Sequence, residues 1–265
     1  MAPPPDYGAT SYQGHDRLTK RVALITGGDS GIGRAVALAF AREGADVAFT
    51  HLPEEQEDAE KSYEEVVAAG VGCLSIALDL ASPENCAEAV SRTVDRFGHI
   101  DILVNNAAYQ GGSVEDISEL DDKRIERTLQ VNVQAPLVLA REALPHMGPG
   151  SSIINVASIQ AYDPSPAILD YATTKGALVT FTKGLAQSQI ERGVRVNSVA
   201  PGPVWTPLVV QSFNAEKNAH FGQNSPMKRP AQPAELAPAF VFLASDESRY
   251  INGEVLGVTG GRLLA

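Results

Sequence analysis

Cysteine is nearly missing from this sequence: Cys73 and Cys86 are the only two in 265 residues. With no disulfide density and no metal-ligand spacing, a disulfide-built scaffold is excluded and a reducing compartment is favoured. Long apolar runs are missing too. Nowhere do about 18 apolar residues follow one another, so no segment reads as a membrane span. The proline-rich start, Met1-Ala-Pro-Pro-Pro-Asp6, lacks the basic and apolar regions of a secretory leader, and a cytoplasmic place is expected. Basic charge is in deficit, with 21 Lys and Arg against 32 Asp and Glu for a net charge of −11. Without a basic patch, neither nucleic acid nor an anionic membrane is an expected partner, and any phosphate ligand must be held locally. His15, His99, His146 and His220 show no ligand spacing, so no metal is expected.

What is present reads as one globular domain. Apolar residues make up 44% and charged residues 20%, and the length suits a single large α/β domain with a full core. The chain is organised around Val22-Ala-Leu-Ile25, a short apolar run that stops at Thr26-Gly27-Gly28-Asp29-Ser30-Gly31-Ile32-Gly33. Val36, Ala39, Phe40 and Glu43 then recur at helical steps, and Gly44 stands where that helix should stop. Strand, tight turn and helix follow directly. A glycine-rich turn into a helix leaves backbone N–H groups and the positive end of the helix dipole facing outward, which suits a pyrophosphate. The spacing Thr-Gly-x-x-x-Gly-x-Gly differs from G-x-G-x-x-G, and alone it also fits a plain structural turn.

Along the rest of the chain, strand and helix alternate. Residues 1–20 read as an extended arm and 21–265 as one domain. Further strands are expected at Asp46–Thr50, Gly72–Leu78, Ile100–Val104, Ser151–Val156, Val194–Val199 and Glu254–Val258. Between them lies an acidic helix to Ala69, with Glu54, Glu55, Glu57, Asp58, Glu60, Glu64 and Glu65 forming a solvated face. Ser82-Pro83 caps a helix that Gly98 ends, and a long helix from about Asp121 to Met147 should kink near Asn132 because of Pro136. A last helix runs from about Tyr171 to Arg192. Seven strands in this pattern imply a Rossmann-like, doubly wound parallel sheet with helices on both faces, binding ligands beyond the carboxyl ends of its strands.

Tyr171 and Lys175 lie four apart on that helix and so share one face. A nearby ammonium should lower the phenol's pKa toward neutrality and suit it to proton transfer, although such a pair also fits a surface contact. Ser158, thirteen residues before Tyr171, lies just past the fifth strand. Together with Asn105-Asn106-Ala107-Ala108, Asn132 and Pro201-Gly202-Pro203-Val204-Trp205-Thr206, these motifs stand in an order that resembles the short-chain dehydrogenase/reductase family over residues 20–261.

The resemblance implies an NAD(P)-dependent oxidoreductase that interconverts an alcohol and a carbonyl on a small molecule. It makes Tyr171 the acid/base, Ser158 the group polarising the carbonyl, Asn132 the holder of a relay water, and Lys175 a contact to the nicotinamide ribose. It also places Gly27, Asp29, Ser30, Gly31, Ile32, Gly33, His51, Leu52, Asp79, Leu80, Asn106, Ala107, Ala108, Pro201, Gly202, Val204 and Thr206 around the dinucleotide. Ala108 departs from the family's usual glycine. Thr50-His51-Leu52-Pro53 lacks the acidic residue that would reject a 2′-phosphate, so NADP(H) is slightly favoured over NAD(H), with Arg34 and His51 as candidate contacts. A substrate lid is expected at about 205–228, carrying Leu208, Val209, Val210, Phe213, Phe221 and Met227. The N-terminal arm resembles that of a bacterial subgroup labelled glucose or ribitol dehydrogenase-like, and the C-terminal segment resembles one that joins subunits into a homotetramer. Two alternatives stay open: an enoyl reductase, against which the three residues between Tyr171 and Lys175 argue, and a non-catalytic dinucleotide sensor.

Overall fold

The computed structural model describes residues 1, 3–212 and 220–264. Its centre is a seven-stranded parallel sheet of β1 (Val22–Ile25), β2 (Asp46–His51), β3 (Cys73–Ala77), β4 (Ile102–Asn105), β5 (Ser152–Val156), β6 (Arg195–Pro201) and β7 (Val255–Val258). Each strand falls within two residues of its expected place. The order is β3-β2-β1-β4-β5-β6-β7, so the winding reverses between β1 and β4 and opens a crevice at the strands' carboxyl ends. β1, β4, β5 and β6 are buried along their whole length, which is why β1 reads as an unbroken apolar run, while the polar Asn105, Asn155, Arg195 and Asn197 of the others are hydrogen-bonded inside.

On one face pack α1 (Gly31–Arg42), α2 (Gln56–Val67) and α8 (Ala237–Ala244); on the other lie α3 (Pro83–Phe97), α5 (Ala135–Ala143) and α6 (Leu169–Gln189). Ala35, Ala37, Ala39 and Ala41 let α1 lie close against the sheet, with Val36 and Phe40 filling the core beneath. Ser82 accepts from Asn85 N–H to cap α3, and Gly98 ends it at φ +89°. The long helix expected from Asp121 to Met147 is instead broken into α4 (Asp122–Leu129), a π-turn (Gln130–Gln134), α5 and a 3-10 turn (Leu144–His146). Pro136 has no N–H for the carbonyl of Asn132, and the ladder widens at that point. The acidic helix is not solely a solvated face, because Glu65 pairs with Arg34 at 2.8 Å across α1.

Glu43 continues the helical stripe of α1 but is a fully buried carboxylate. The Tyr12 hydroxyl, the N–H groups of His15 (2.9 Å) and Arg17 (3.0 Å) and the Arg17 guanidinium (2.7 Å) all donate to it. Arg42 donates to the carbonyls of Gly8, Ala9 and Tyr12. The segment Gly8–Arg17 is thereby tied to the body, and Trp205 Nε1 donates to Pro3 O at 3.0 Å. Burial opposes ionisation of Glu43, yet the hydrogen bonds from Arg17 and Tyr12 prevail and hold its carboxyl at about 2 against an ordinary 4.5. That stabilisation is complete above about pH 4.5 and is lost as pH falls through about 2. Glu43→Ala should therefore cost about 3 kcal/mol at pH 7 in urea unfolding, with the deficit shrinking toward pH 2. Equal stability of the two proteins at pH 7 would refute the anchor.

Candidate active site

A cleft of about 800 Å³ lies at the carboxyl ends of the strands. At one end stands the glycine-rich turn. Gly27 (φ +65°) and Gly31 (φ +54°) take left-handed backbone conformations, and Ser30 precedes α1 without a side-chain cap. The Tyr7 phenol lies beside the Gly31 N–H, while Ser30, Gly31 and Ile32 at the start of α1 line the cleft, where the positive end of the helix dipole suits an anionic ligand. Thr26 Oγ1 accepts from Asn106 N–H and Ala107 N–H, each at 2.9 Å. Asn106 Nδ2 returns bonds to the carbonyls of Thr26 (2.8 Å) and Gly27 (3.0 Å), so β4 holds the turn's shape.

The other residues expected around a dinucleotide line the same cleft: Asp29, Ser30, Ile32, His51, Leu52, Asp79, Leu80, Ala108, Pro201, Gly202, Val204 and Thr206, with Tyr171 and Lys175. Gly33 does not. A Cβ there would stand 1.9 Å from the Gly27 carbonyl, so its role is to let α1 pack against the turn. Arg34 does not reach the cleft either, because it is spent on Glu65 and lies 4.6 Å from the Tyr7 ring centroid. Asp79 is gripped by Arg127 at 2.7 Å, and although burial opposes ionisation, Arg127 and the Ala81 N–H together lower its carboxyl. Burial raises the carboxyl of Asp29, with Ser30 and His51 pulling it back.

Deeper in the cleft, the end of β5 delivers Ser158 and α6 delivers Tyr171 and Lys175. The Ser158 hydroxyl accepts Gln160 N–H at 3.1 Å and lies near enough to the Tyr171 phenol to favour its ionised form. Lys175 Nζ donates to Val156 O at 2.7 Å and lies 5.2 Å from the Tyr171 ring centroid. The expected lowering of the phenol is overturned here. Burial dominates both groups, pushing Tyr171 up to about 12 against the pull of Ser158 and Lys175 down to about 7.

Asn132 lies behind this group, 1% exposed, and does not line the cleft. Its amide is committed: Oδ1 accepts Tyr109 N–H at 2.7 Å, and Nδ2 donates to Tyr109 O (2.9 Å) and Thr174 Oγ1 (3.1 Å). A relay water would have to sit on its main-chain carbonyl, the one that Pro136 leaves without its usual donor.

Of the expected lid, Leu208 and Val209 on α7 (Pro207–Ser212) and Phe221 line the cleft, Val210 does not, and Met227 is exposed. Phe213 lies outside the described residues. Sequence reasoning missed Tyr109, Gln110, Arg127, Gln160 and Arg262, all of which line the cleft. They come from loops and helix faces whose closeness only the fold creates. Among the described residues no group of His, Cys, Asp and Glu could hold a metal, and no helix is long and apolar enough to cross a membrane.

A family profile described as enoyl-(acyl carrier protein) reductase matches residues 27–262. The chain is 47% identical over 270 residues to NADPH-dependent aldehyde reductase 1, chloroplastic, of Arabidopsis thaliana, covering 100% of this chain and 93% of that one. It is 48% identical over 271 residues to a glucose and ribitol dehydrogenase of Daucus carota, covering 100% and 92%. A short-chain dehydrogenase of Burkholderia cenocepacia in complex with NADP superposes with a TM-score of 0.86 at 34% identity, covering 92% of this chain and 98% of that one.

Proposed function

Because this chain belongs to the short-chain dehydrogenase/reductase family, we propose that it interconverts an alcohol and a carbonyl with NAD(P)(H) in the cleft described above. The observation that carries this reading is the buried trio of Ser158, Tyr171 and Lys175, brought together in the same cleft. The dinucleotide fits the residues present, since the start of α1 and the left-handed Gly27 and Gly31 line the cleft as a cradle for phosphates. When bound, it supplies the hydride. The chain's own residues do the rest. The Ser158 hydroxyl orients the substrate oxygen, the Tyr171 phenol gives that oxygen its proton in the reducing direction, and Lys175 holds positive charge beside the phenolate that results. The described part of the 205–228 lid brings apolar Leu208, Val209 and Phe221 to the same space, which favours exclusion of water.

Steady-state oxidation of NADPH and NADH over a panel of aldehydes, ketones, quinones and sugars tests this reading. Turnover of carbonyls with no turnover of an enoyl thioester is the expected result. Turnover of the thioester alone would favour the enoyl reductase, and binding of both dinucleotides without turnover of anything would favour a sensor. NADPH should be favoured modestly. No carboxylate ends β2, and the aldehyde reductase relative is NADPH-dependent by name, but Asp29, Glu54 and Glu55 line the cleft and oppose a 2′-phosphate. A kcat/KM ratio favouring NADH would reverse this choice. The two buried free thiols agree with a cytoplasmic place.

A homotetramer is proposed as the assembly. Its support is an apolar groove of about 1090 Å³ along α4, α5 and α6, where Ile125, Leu129 and Leu137 are 38%, 46% and 43% exposed. Leu129→Glu with Leu137→Glu should lower the sedimenting mass by half or more. An unchanged mass would place the interface elsewhere.

A further inference from the structure

Resting on the carbonyl-reductase reading, we propose that Gln160 is a specificity residue whose amide N–H groups bind a second substrate oxygen, on the carbon next to the reacting carbonyl. The substrate class that follows is α-dicarbonyl and α-hydroxycarbonyl compounds with the corresponding vicinal alcohols.

Gln160 is firmly held. It sits in the 3-10 turn Ile159–Ala161 directly after Ser158, and its backbone N–H donates to the Ser158 hydroxyl at 3.1 Å. Its side-chain Oε1 accepts Ser165 N–H at 2.7 Å. Because a backbone N–H can only meet the amide oxygen, the orientation of the amide is fixed, and Nε2 with both its hydrogens is the remaining end. Among the described residues no acceptor meets that end, and Gln160 is half-buried and lines the cleft. A donor fixed two residues from the hydroxyl that holds the reacting oxygen is preorganised for an acceptor on the adjacent carbon.

The other polar groups along the cleft are less suited to this task. Gln211 and Asn224 are exposed, no side chain among the described residues fixes the Gln110 amide, and Arg262 is engaged by Asp163 at 2.7 Å. A substrate without the second oxygen would leave the Gln160 donors unpaired once water is excluded, so discrimination comes from the penalty as much as from the bond.

The experiment compares 2,3-butanedione with 3-methyl-2-butanone, similar in size, of which only the first offers a second oxygen, and that oxygen is an acceptor only. The kcat/KM ratio between them is measured for wild type, Gln160→Leu and Gln160→Glu, so intrinsic reactivity cancels between proteins. Gln160→Glu keeps an oxygen for Ser165 N–H and loses both donors. The expected result is a ratio lowered about 30-fold in both variants, with 3-methyl-2-butanone reduced within about threefold of wild type. A wild-type ratio in Gln160→Glu means that the residue only shapes the loop, and overturns the inference alone, as does parallel loss on both ketones. If wild type oxidises NADPH with no carbonyl, the reading beneath fails and this inference falls with it.

Discussion

Tyr171→Phe should lower kcat for carbonyl reduction by about 10³-fold while leaving dinucleotide affinity within about threefold. The phenol is a buried part of the cleft lining with Ser158 beside it, so replacing its hydroxyl by hydrogen keeps the ring's packing and removes only the proton donor. The glycine-rich turn is shaped by Thr26 and Asn106, which the substitution does not touch. Fluorescence titration with NADPH therefore separates a lost proton donor from a damaged site. Because burial keeps the phenol protonated to about 12, the wild-type donor is available across the physiological range. The loss should therefore be the same at pH 6 and pH 8 once the charge of Lys175 is allowed for. Activity in Tyr171→Phe close to wild type would remove Tyr171 from the mechanism.

The sheet was legible because a parallel strand covered on both faces must be apolar throughout, as Val22-Ala-Leu-Ile25 is, and because Gly44 and Gly98 end helices at positive φ. The trio of Ser158, Tyr171 and Lys175 was legible through spacing, since four residues is one helical turn and Ser158 follows a strand. Three matters were not legible, and each depends on a neighbour distant in sequence. Glu43 joins a helical stripe and reads as an interruption of it, yet the arm thirty residues upstream makes it a buried anchor. Gly33 reads as a phosphate contact, whereas its missing Cβ makes room for the Gly27 carbonyl. Asn132 was placed correctly at the helix break, but its amide is turned toward Tyr109 and Thr174, which only the packing of α4 and α6 decides. The phenol's pKa failed for a related reason. Sequence spacing gives the nearby charge, and burial, which outweighs it, appears only in the folded chain.

Lys175→Met should reduce kcat by about 10²-fold and at the same time make the protein more stable. Burial pushes the ammonium from 10.5 down to about 7, so the native state bears the cost of an enclosed charge that one hydrogen bond to Val156 offsets in part. Removing the charge relieves that cost and leaves one carbonyl without its donor, for a net gain of about 3 kcal/mol at pH 6. The pH dependence carries a definite sign. The folded value lies below the unfolded one, so between about 7 and 10.5 the unfolded chain holds a proton that the native lysine has released, and wild-type stability rises with pH across that window. The advantage of Lys175→Met should accordingly be greatest below pH 7 and shrink toward pH 10.5. Catalysis should run the other way. The phenolate left after proton transfer is stabilised by the charged lysine, so wild-type kcat for reduction falls as pH rises through about 7, and Lys175→Met loses that limb. Paired pH profiles of urea unfolding and of kcat test both halves. A variant less stable than wild type at pH 6, or one that keeps the limb near pH 7, would show that the buried ammonium is neither the cost nor the catalytic charge argued for it.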